Sequence, residues 1–330
     1  MDVEKILEEK GKLIEEEIEK TFPRNTRIPN LYDGVWYHMS TGGKRIRPVL
    51  AIMACNSLGG DINKIIPFAA ACEVLHNWLL IHDDIEDGDR IRRDREAVWV
   101  KYGLPHGINI GDLMSQAVFK MILRSGERGV DEKTVFKLVN LMADTTIKTA
   151  EGQAMDINLR NSNNPTEDDY MRMVTGKTAY YMTAPIIGGA IVADADDEII
   201  NKIIEFGKYA GPAFQIADDI LDLTVGKGRC ETGRDIKEGK RSILIIHCLG
   251  KCEPEEKGKL LEILNKSPEE TTAEDILYVK NLFEKYGSVD YARKRAEELV
   301  KKSKNVIKDL PQGLREVLEF FADYLIKRKK

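Results

Sequence analysis

Residues 68–87 read FAAACEVLHNWLLIHDDIED, and this stretch decides the fold because an apolar helical face in it runs into a cluster of acids. At about 100° per residue, His76, Leu79, Asp83 and Asp87 lie on one stripe of a helix. The pattern predicts a helix that ends in carboxylates growing out of an apolar surface.

A second stretch of this kind, FQIADDILD, occupies residues 214–222, and Gln215, Asp218 and Asp222 share one face of the predicted helix. A single acidic cluster is often only a solvated helix end. Two clusters need a cation, since negative charge near a helix C-terminus opposes the helix dipole and like charges one turn apart repel. Carboxylate oxygens suit Mg²⁺, which completes its coordination with water and phosphate. The clusters predict a diphosphate bound through magnesium.

Helical spacing of apolar residues continues through most of the 330 residues, as in 199–204. Thr166 and Asp169 form a capping box that predicts a helix reaching Ile187. Clusters of Gly, Pro, Asn and Ser predict loops between helices at residues 23–30, 126–129, 161–165 and 266–272. We therefore predict an all-α protein, with one domain over residues 1–330 that forms a helical bundle around a central active-site cavity.

Charge and cysteine content narrow the setting of the protein. The net charge is −5 and the basic residues are interleaved with acids, which argues against a nucleic-acid partner. Five cysteines form no C-x-x-C pair, as expected of a reduced, intracellular protein. The start of the chain is unlike a signal peptide, and the apolar run at 183–195 is too short to span a membrane. A soluble, cytoplasmic protein is expected.

Basic residues accompany the acids. The segment GGKRIRP (42–48) has three bases after a glycine pair, Arg92 and Arg93 follow the first cluster closely, and Lys177 and Lys240 come later. Each one alone is an ordinary surface feature. Together with the acids, they indicate a site for polyanionic substrates.

These ordered motifs resemble the trans-prenyltransferases, the short-chain isoprenyl diphosphate synthases that make geranyl, farnesyl and geranylgeranyl diphosphate. The resemblance runs over residues 40–245 and is much more specific than either acidic cluster alone. Besides the two clusters it rests on these segments: GGKRIRP, Glu73 to His76, Arg92-Arg93, Gly111-Asp112, Gly152-Gln153 with Asp156, Lys177-Thr178 and Gly239-Lys240.

The resemblance implies a role for each matching residue. The metal ligands would be Asp83, Asp87 and Asp218, supported by Asp84, Asp219 and Asp222, with three Mg²⁺ per active site once substrate is bound. The diphosphate of isopentenyl diphosphate would be bound by Lys44, Arg47, His76 and Arg93. The allylic diphosphate would be bound by Arg92, Lys177 and Lys240, while Thr178 and Gln215 would stabilise the allylic cation, so that Lys177, Thr178, Gln215 and Lys240 are the catalytic set. Family members are also expected to form homodimers.

The sequence departs from the family pattern after the paired arginines, where Asp94 and Glu96 stand in place of the usual Gly and Pro. Two alternatives to an active synthase follow. A non-catalytic subunit of a heteromeric synthase would explain the altered loop but commonly loses one acidic cluster, and a class I terpene cyclase would have no use for an isopentenyl site. From the residues alone, His76 is more often a satisfied, partly buried histidine than a ligand.

Product length is predicted from the residues before the first cluster. In the resembling family the floor for the growing chain is often five places before the first Asp, which here is Trp78, followed by Leu79. Five residues of helix place Trp78 about 7.5 Å from Asp83 along the axis, although ideal angles put it off the Asp83 stripe. A twenty-carbon product is predicted, with the fifteen-carbon product of a farnesyl diphosphate synthase as the alternative.

Overall fold

The computed structural model describes residues 3–24, 27–43, 45–224 and 232–327, and the prediction of an all-α protein is confirmed. Its α-helices α1 to α16 are, in chain order, Val3–Thr21, Tyr32–Met39, Ile46–Ser57, Ile62–Glu86, Val98–Tyr102, Leu104–Leu123, Glu132–Leu159, Glu167–Val174, Tyr180–Val192, Asp197–Thr224, Arg234–Lys237, Ile243–Leu249, Pro254–Leu264, Ala273–Lys285, Ser288–Val306 and Gln312–Lys327. Arg124–Arg128 is a 3₁₀ turn and Thr175–Ala179 a π-helical segment. The four predicted loop regions interrupt α-helices.

The altered loop after the first cluster forms a small antiparallel hairpin, in which strand β1 (Ile91–Arg92) pairs with strand β2 (Arg95–Glu96). Its two turn residues, Arg93 and Asp94, have φ of 53° and 61°. Tight hairpin turns require positive φ, and Asp is among the few residues besides Gly that adopt it readily. Asp94 therefore replaces the usual Gly without breaking the turn.

Helix α4 carries the first cluster and is largely buried. Asp61 caps its start by accepting a hydrogen bond from the Asn63 amide at 2.9 Å. By length and composition α4 could cross a membrane, but 72% of the apolar window is buried inside the protein. The sequence analysis did not identify this segment as the longest apolar stretch, because Lys64 and Glu73 interrupt it. Its burial is that of a core helix.

The described residues fall into two compact units. The first unit comprises those within Met1–Thr145, Tyr181–Ile204 and Asp309–Leu318, and the second those within Thr146–Tyr180, Glu205–Lys308 and Glu319–Lys330. The first unit contains Asp83 and its neighbours, and the second unit contains Asp218 and its neighbours.

In the first unit, close helix packing depends on two glycines of α9. A Cβ on Gly188 would overlap the ring of Phe68, and a Cβ on Gly189 would overlap the carbonyl oxygen of Ala51. Phe68 and Ala51 are both fully buried. The glycines therefore let the helix backbones approach more closely than any larger residue would allow.

In the second unit, the predicted capping box is confirmed: Thr166 accepts from the Asp169 amide at 3.1 Å, and the Asp169 carboxylate accepts from the Thr166 amide. The helix that follows passes through the π-helical segment before α9. A Cβ on Gly152 of α7 would overlap the backbone nitrogen of Lys177. The backbone carrying Lys177 and Thr178 is thus fixed by direct packing, and π-helical segments of this kind often mark functional sites.

Candidate active site

The first acidic cluster ends α4 as predicted, and its aspartates differ in environment. Asp84 is fully buried and accepts from Arg92 Nε at 2.6 Å and from Arg92 Nη2. The same guanidinium lies 3.6 Å from Asp83 and 3.4 Å from Asp89. Burial raises the pKa of Asp84 to about 7, although Arg92 opposes this shift. Arg92, predicted to bind the allylic diphosphate, is placed against the acidic cluster.

The donor set at this helix end suits magnesium. Asp83 and Asp87 lie one helical turn apart, and the Asp83 side chain is 22% exposed. Among the residues that the structure describes, no three His, Cys, Asp or Glu side chains converge as a closed metal cage. Mg²⁺ does not need one, since it usually takes one or two carboxylates and completes its shell with water and phosphate oxygens. The residues therefore fit a magnesium ion that is bound together with substrate.

Three of the four predicted isopentenyl diphosphate ligands, Arg47, His76 and Arg93, are neighbours, and the fourth, Lys44, lies outside the described residues. The guanidinium of Arg47 lies 4.8 Å above the Tyr181 ring, and the His76 ring stacks on Tyr181 at 6.3 Å. Burial, and then the charge of Arg47 and Arg93, lowers the pKa of His76 well below its usual value. His76 is thus a neutral hydrogen-bonding group at pH 7.

Arg93 is tied to the glycine loop. Its Nη1 donates to the carbonyl oxygen of Gly42 and to Thr41 Oγ1, the latter at 3.3 Å. A Cβ on Gly43 would lie only 3.1 Å from the guanidinium, so glycine leaves the space that Arg93 fills. The motif GGKRIRP and the arginine pair, separate in sequence, are in contact.

A group of buried polar residues lies behind this cationic group. Asn77 donates to the carbonyl and carboxylate oxygens of Glu73, at 2.8 and 3.0 Å, and both residues are buried. The negative charge of Glu73 favours the charged form of Arg93, whose pKa burial lowers. Burial, with the charges of Arg93 and Arg92, lowers the pKa of nearby His38 to about 3. Glu73 is therefore a buried counter-charge for Arg93.

In the second acidic cluster, which belongs to the second unit, Asp219 accepts hydrogen bonds from two neutral donors. Asp219 is buried and accepts from the Tyr170 hydroxyl at 2.7 Å and from Gln215 Nε2 at 3.0 Å. Thr178 Oγ1 in turn donates to Gln215 Oε1 at 3.1 Å. The predicted pair Thr178 and Gln215 is thus in contact, and a chain of hydrogen bonds orients both towards Asp219.

The two lysines of the second unit that are predicted to be catalytic lie beside carboxylates. Lys177 Nζ lies 2.7 Å from Asp156 Oδ2, and Lys240 Nζ lies 3.6 Å from Asp235 and 2.5 Å from Glu238. Burial alone would raise the pKa of Asp156, but Lys177 and Lys240 together lower it. Asp156 therefore remains ionised, and its negative charge keeps the ammonium groups of Lys177 and Lys240 favourable at this position.

The predicted chain-length residues Trp78 and Leu79 are both partly buried and pack against the core of the first unit. The Trp78 indole turns towards His82, one helical turn nearer the acidic cluster.

Sequence reasoning missed Tyr170, Tyr181 and the support role of Glu73. Each has a weak signal: Glu73 is an acid inside an apolar run, and Tyr181 closely follows Lys177-Thr178. Tyr170 has no recognisable pattern, since a helical tyrosine is usually part of the core.

The all-α fold, the two carboxylate-tipped helices and the fixed cations beside each of them define an enzyme class that acts on diphosphate substrates with divalent metal. The polyprenyl synthetase family model matches residues 28–281, and the chain belongs to this family. Its members are magnesium-dependent prenyltransferases with the all-α isoprenoid synthase fold, as predicted.

Three relatives illustrate the similarity. The chain is 35% identical to a geranylgeranyl diphosphate synthase of Sulfolobus acidocaldarius, with 92% of each chain covered. It is 33% identical to a short chain isoprenyl diphosphate synthase of Methanothermobacter thermautotrophicus, covering 100% of this chain and 99% of the relative. The crystal structure of geranylgeranyl pyrophosphate synthetase from Pyrococcus horikoshii superposes with a TM-score of 0.87 at 31% identity, covering 98% and 97% of the two chains.

Proposed function

We propose that this protein elongates allylic diphosphates by condensation with isopentenyl diphosphate and makes mainly geranylgeranyl diphosphate. One observation supports this above all: each acidic helix end has its own set of cations in the same unit. Arg47, Arg93 and neutral His76 accompany the first cluster, and Lys177 and Lys240 accompany the second. Two diphosphates require two such sets.

In the proposed mechanism, Asp83, Asp87 and Asp218 would hold magnesium, three ions per active site with substrate bound. When bound, the metal would neutralise charge on the departing diphosphate. Lys177 and Lys240 bind the allylic diphosphate, with Arg92 beside it, and their ammonium groups stabilise the charge that develops on it. Thr178 and Gln215 are already oriented by their mutual hydrogen bond, so their oxygens face the allylic cation without reorganisation.

The isopentenyl site positions the second substrate. Arg47, Arg93 and Lys44 supply charge to its diphosphate, and His76 supplies a neutral N–H. Its double bond attacks the allylic cation, and a proton is then lost to the departing diphosphate. No protein nucleophile takes part, so positioning carries much of the catalysis.

Trp78 and Leu79 are proposed to limit the product to twenty carbons. A fifteen-carbon stop is the second candidate, because indole is the largest side chain.

Three further features belong to the proposal. The chain is one domain over residues 1–330, which the boundaries between the two units support because four of the five fall inside helices, in α7, α9, α10 and α16. It is cytoplasmic, as its free cysteines favour. It is a homodimer, with Leu104, Ile108 and Phe136 as exposed apolar residues available for the contact.

One assay tests the function. Purified protein is mixed with labelled isopentenyl diphosphate and dimethylallyl, geranyl or farnesyl diphosphate in the presence of Mg²⁺, and the dephosphorylated products are separated by chromatography. A twenty-carbon alcohol as main product is expected. Lack of elongation by the protein alone would favour the non-catalytic subunit, and cyclic hydrocarbons would favour a cyclase.

A further inference from the structure

His82, immediately before the first acidic cluster, links Trp78 to the neighbouring helix α6. Its Nδ1 accepts a hydrogen bond from the Trp78 indole N–H at 3.3 Å. The two rings meet edge to face, with centroids 6.1 Å apart and an interplanar angle of 80°. Aromatic pairs favour this arrangement, so the bond and the ring contact orient the indole together.

The other side of the His82 ring faces α6. Nε2 lies 3.4 Å from the carbonyl oxygen of Ile108 and 3.9 Å from Asp112 Oδ1. Because Nδ1 accepts from Trp78, the tautomer that satisfies both contacts carries its proton on Nε2 and donates it to Ile108. One imidazole ring therefore bridges the indole and the backbone of α6.

Gly111 confines this ring. A Cβ at position 111 would overlap His82 Nε2 and Cδ2, so the ring occupies space that only glycine leaves open. The ring lies between Gly111 on one side and Trp78 on the other. This leaves the His82 ring little freedom to turn. The position of α6 therefore determines where the ring, and with it the indole, lies.

We propose that His82 is a specificity-determining residue that sets product length by holding the Trp78 indole in one orientation. The inference rests on the proposed function, in which Trp78 is the floor for the growing chain. His82 acts through Trp78 and does not touch substrate, so it is a positioning residue. Without it, the indole can turn aside, and the chain can grow past twenty carbons.

The test compares product lengths from five enzymes: the parent, His82→Ala, His82→Asn, Trp78→Ala and the double variant His82→Ala/Trp78→Ala. Asn places an amide where the imidazole Nδ1 lies and serves as the matched control that can still accept from the indole. We expect His82→Ala to raise the ratio of longer products to twenty-carbon product about fivefold, the factor for losing one hydrogen bond of ordinary strength. His82→Asn should stay near the parental ratio, and the double variant His82→Ala/Trp78→Ala should match Trp78→Ala.

The outcomes separate the two ideas. A shift in Trp78→Ala with a parental ratio in His82→Ala would overturn the role of His82 and leave Trp78 as the floor. An unchanged ratio in active Trp78→Ala would overturn the floor itself. If His82→Ala does not fold, Gly111→Ala replaces it, because its Cβ displaces the ring from α6; a parental ratio in that variant would also overturn the inference. Ratios are compared at equal conversion of substrate, so that a slower overall rate, which a structural defect alone would cause, does not change them.

Discussion

The two acidic helix ends share one spacing of aspartates, but their middle aspartates have different partners. Asp84 is held by the guanidinium of Arg92, whereas Asp219 is held by the Tyr170 hydroxyl and the Gln215 amide. Asp84 therefore accepts from a charged donor, and Asp219 accepts from two neutral donors. The repeated motif predicts where carboxylates lie on a helix, but the side chains brought by the fold decide their electrostatics.

The largest effect is expected from removing the aspartates that are proposed to bind magnesium at the two helix ends. Asp83→Ala, Asp87→Ala and Asp218→Ala should each lower turnover at least about a hundredfold, because each loses a proposed metal ligand. Chelation of Mg²⁺ should abolish activity in the parent. Steady-state rates at saturating magnesium are the measurement, with Asp144→Ala, an exposed carboxylate on α7, as the control. Near-parental turnover in any of the three would remove that residue from the metal site.

The next effect separates the two substrates. Arg47→Ala and Lys44→Ala should raise KM for isopentenyl diphosphate about tenfold or more, and Lys240→Ala should do so for the allylic diphosphate, since each loses a charge-assisted hydrogen bond to one anion. The variants are controls for one another when KM is measured for both substrates. Equal changes for both substrates would contradict separate binding sets.

A smaller effect tests the difference between the charged partner of Asp84 and the neutral partners of Asp219. Arg92→Met removes the cation that opposes the raised pKa of Asp84. Below the parental pKa of about 7, Asp84 is protonated in both folded proteins, so this difference is absent. Above pH 7, Asp84 still takes up a proton when the variant folds, whereas in the parent it no longer does. The variant therefore loses free energy of unfolding relative to the parent by about 1.4 kcal/mol per pH unit, or about 2 kcal/mol by pH 8.5.

Tyr170→Phe is the matched variant at the other helix end. It should cost about 1 kcal/mol at both pH 5.5 and pH 8.5, because burial raises the pKa of Tyr170 well above its usual value and the hydroxyl keeps its proton. Urea unfolding at the two pH values measures both variants. If Arg92→Met lost the same free energy of unfolding at both pH values, the ionisation of Asp84 would not depend on the charge of Arg92.

The smallest effect concerns His76. Since burial and neighbouring arginines lower its pKa well below the usual value, it should not titrate between pH 6 and pH 8. The ratio of KM for isopentenyl diphosphate in His76→Gln to that in the parent should therefore stay constant over this range. A ratio that rises as the pH falls would mean that His76 binds as a cation.

Much of this arrangement follows from local sequence. Helix periodicity predicted α4 and α10, and the capping box at Thr166 was correct, because caps and amphipathic faces are short-range features. The hairpin at Arg93-Asp94 was not predicted, since a positive φ at Asp is not visible in a charge pattern. The contacts of Arg92 with Asp84 and of Tyr170 with Asp219 were also missed. These partners lie 8 and 49 positions away in sequence, and only tertiary packing brings them together.

The apolar character of α4 has a consequence for how the chain is made. Until it is covered, a helix long and apolar enough to cross a membrane is a surface on which unfinished chains associate. Helix α6, which packs against it, follows after only a short connection, so part of that surface is covered soon after synthesis. The glycines of α9 reach Phe68 and Ala51 only after many more residues have been added. Because exposed apolar surface promotes aggregation, refolding of the full-length protein should give a higher yield as the protein concentration is lowered.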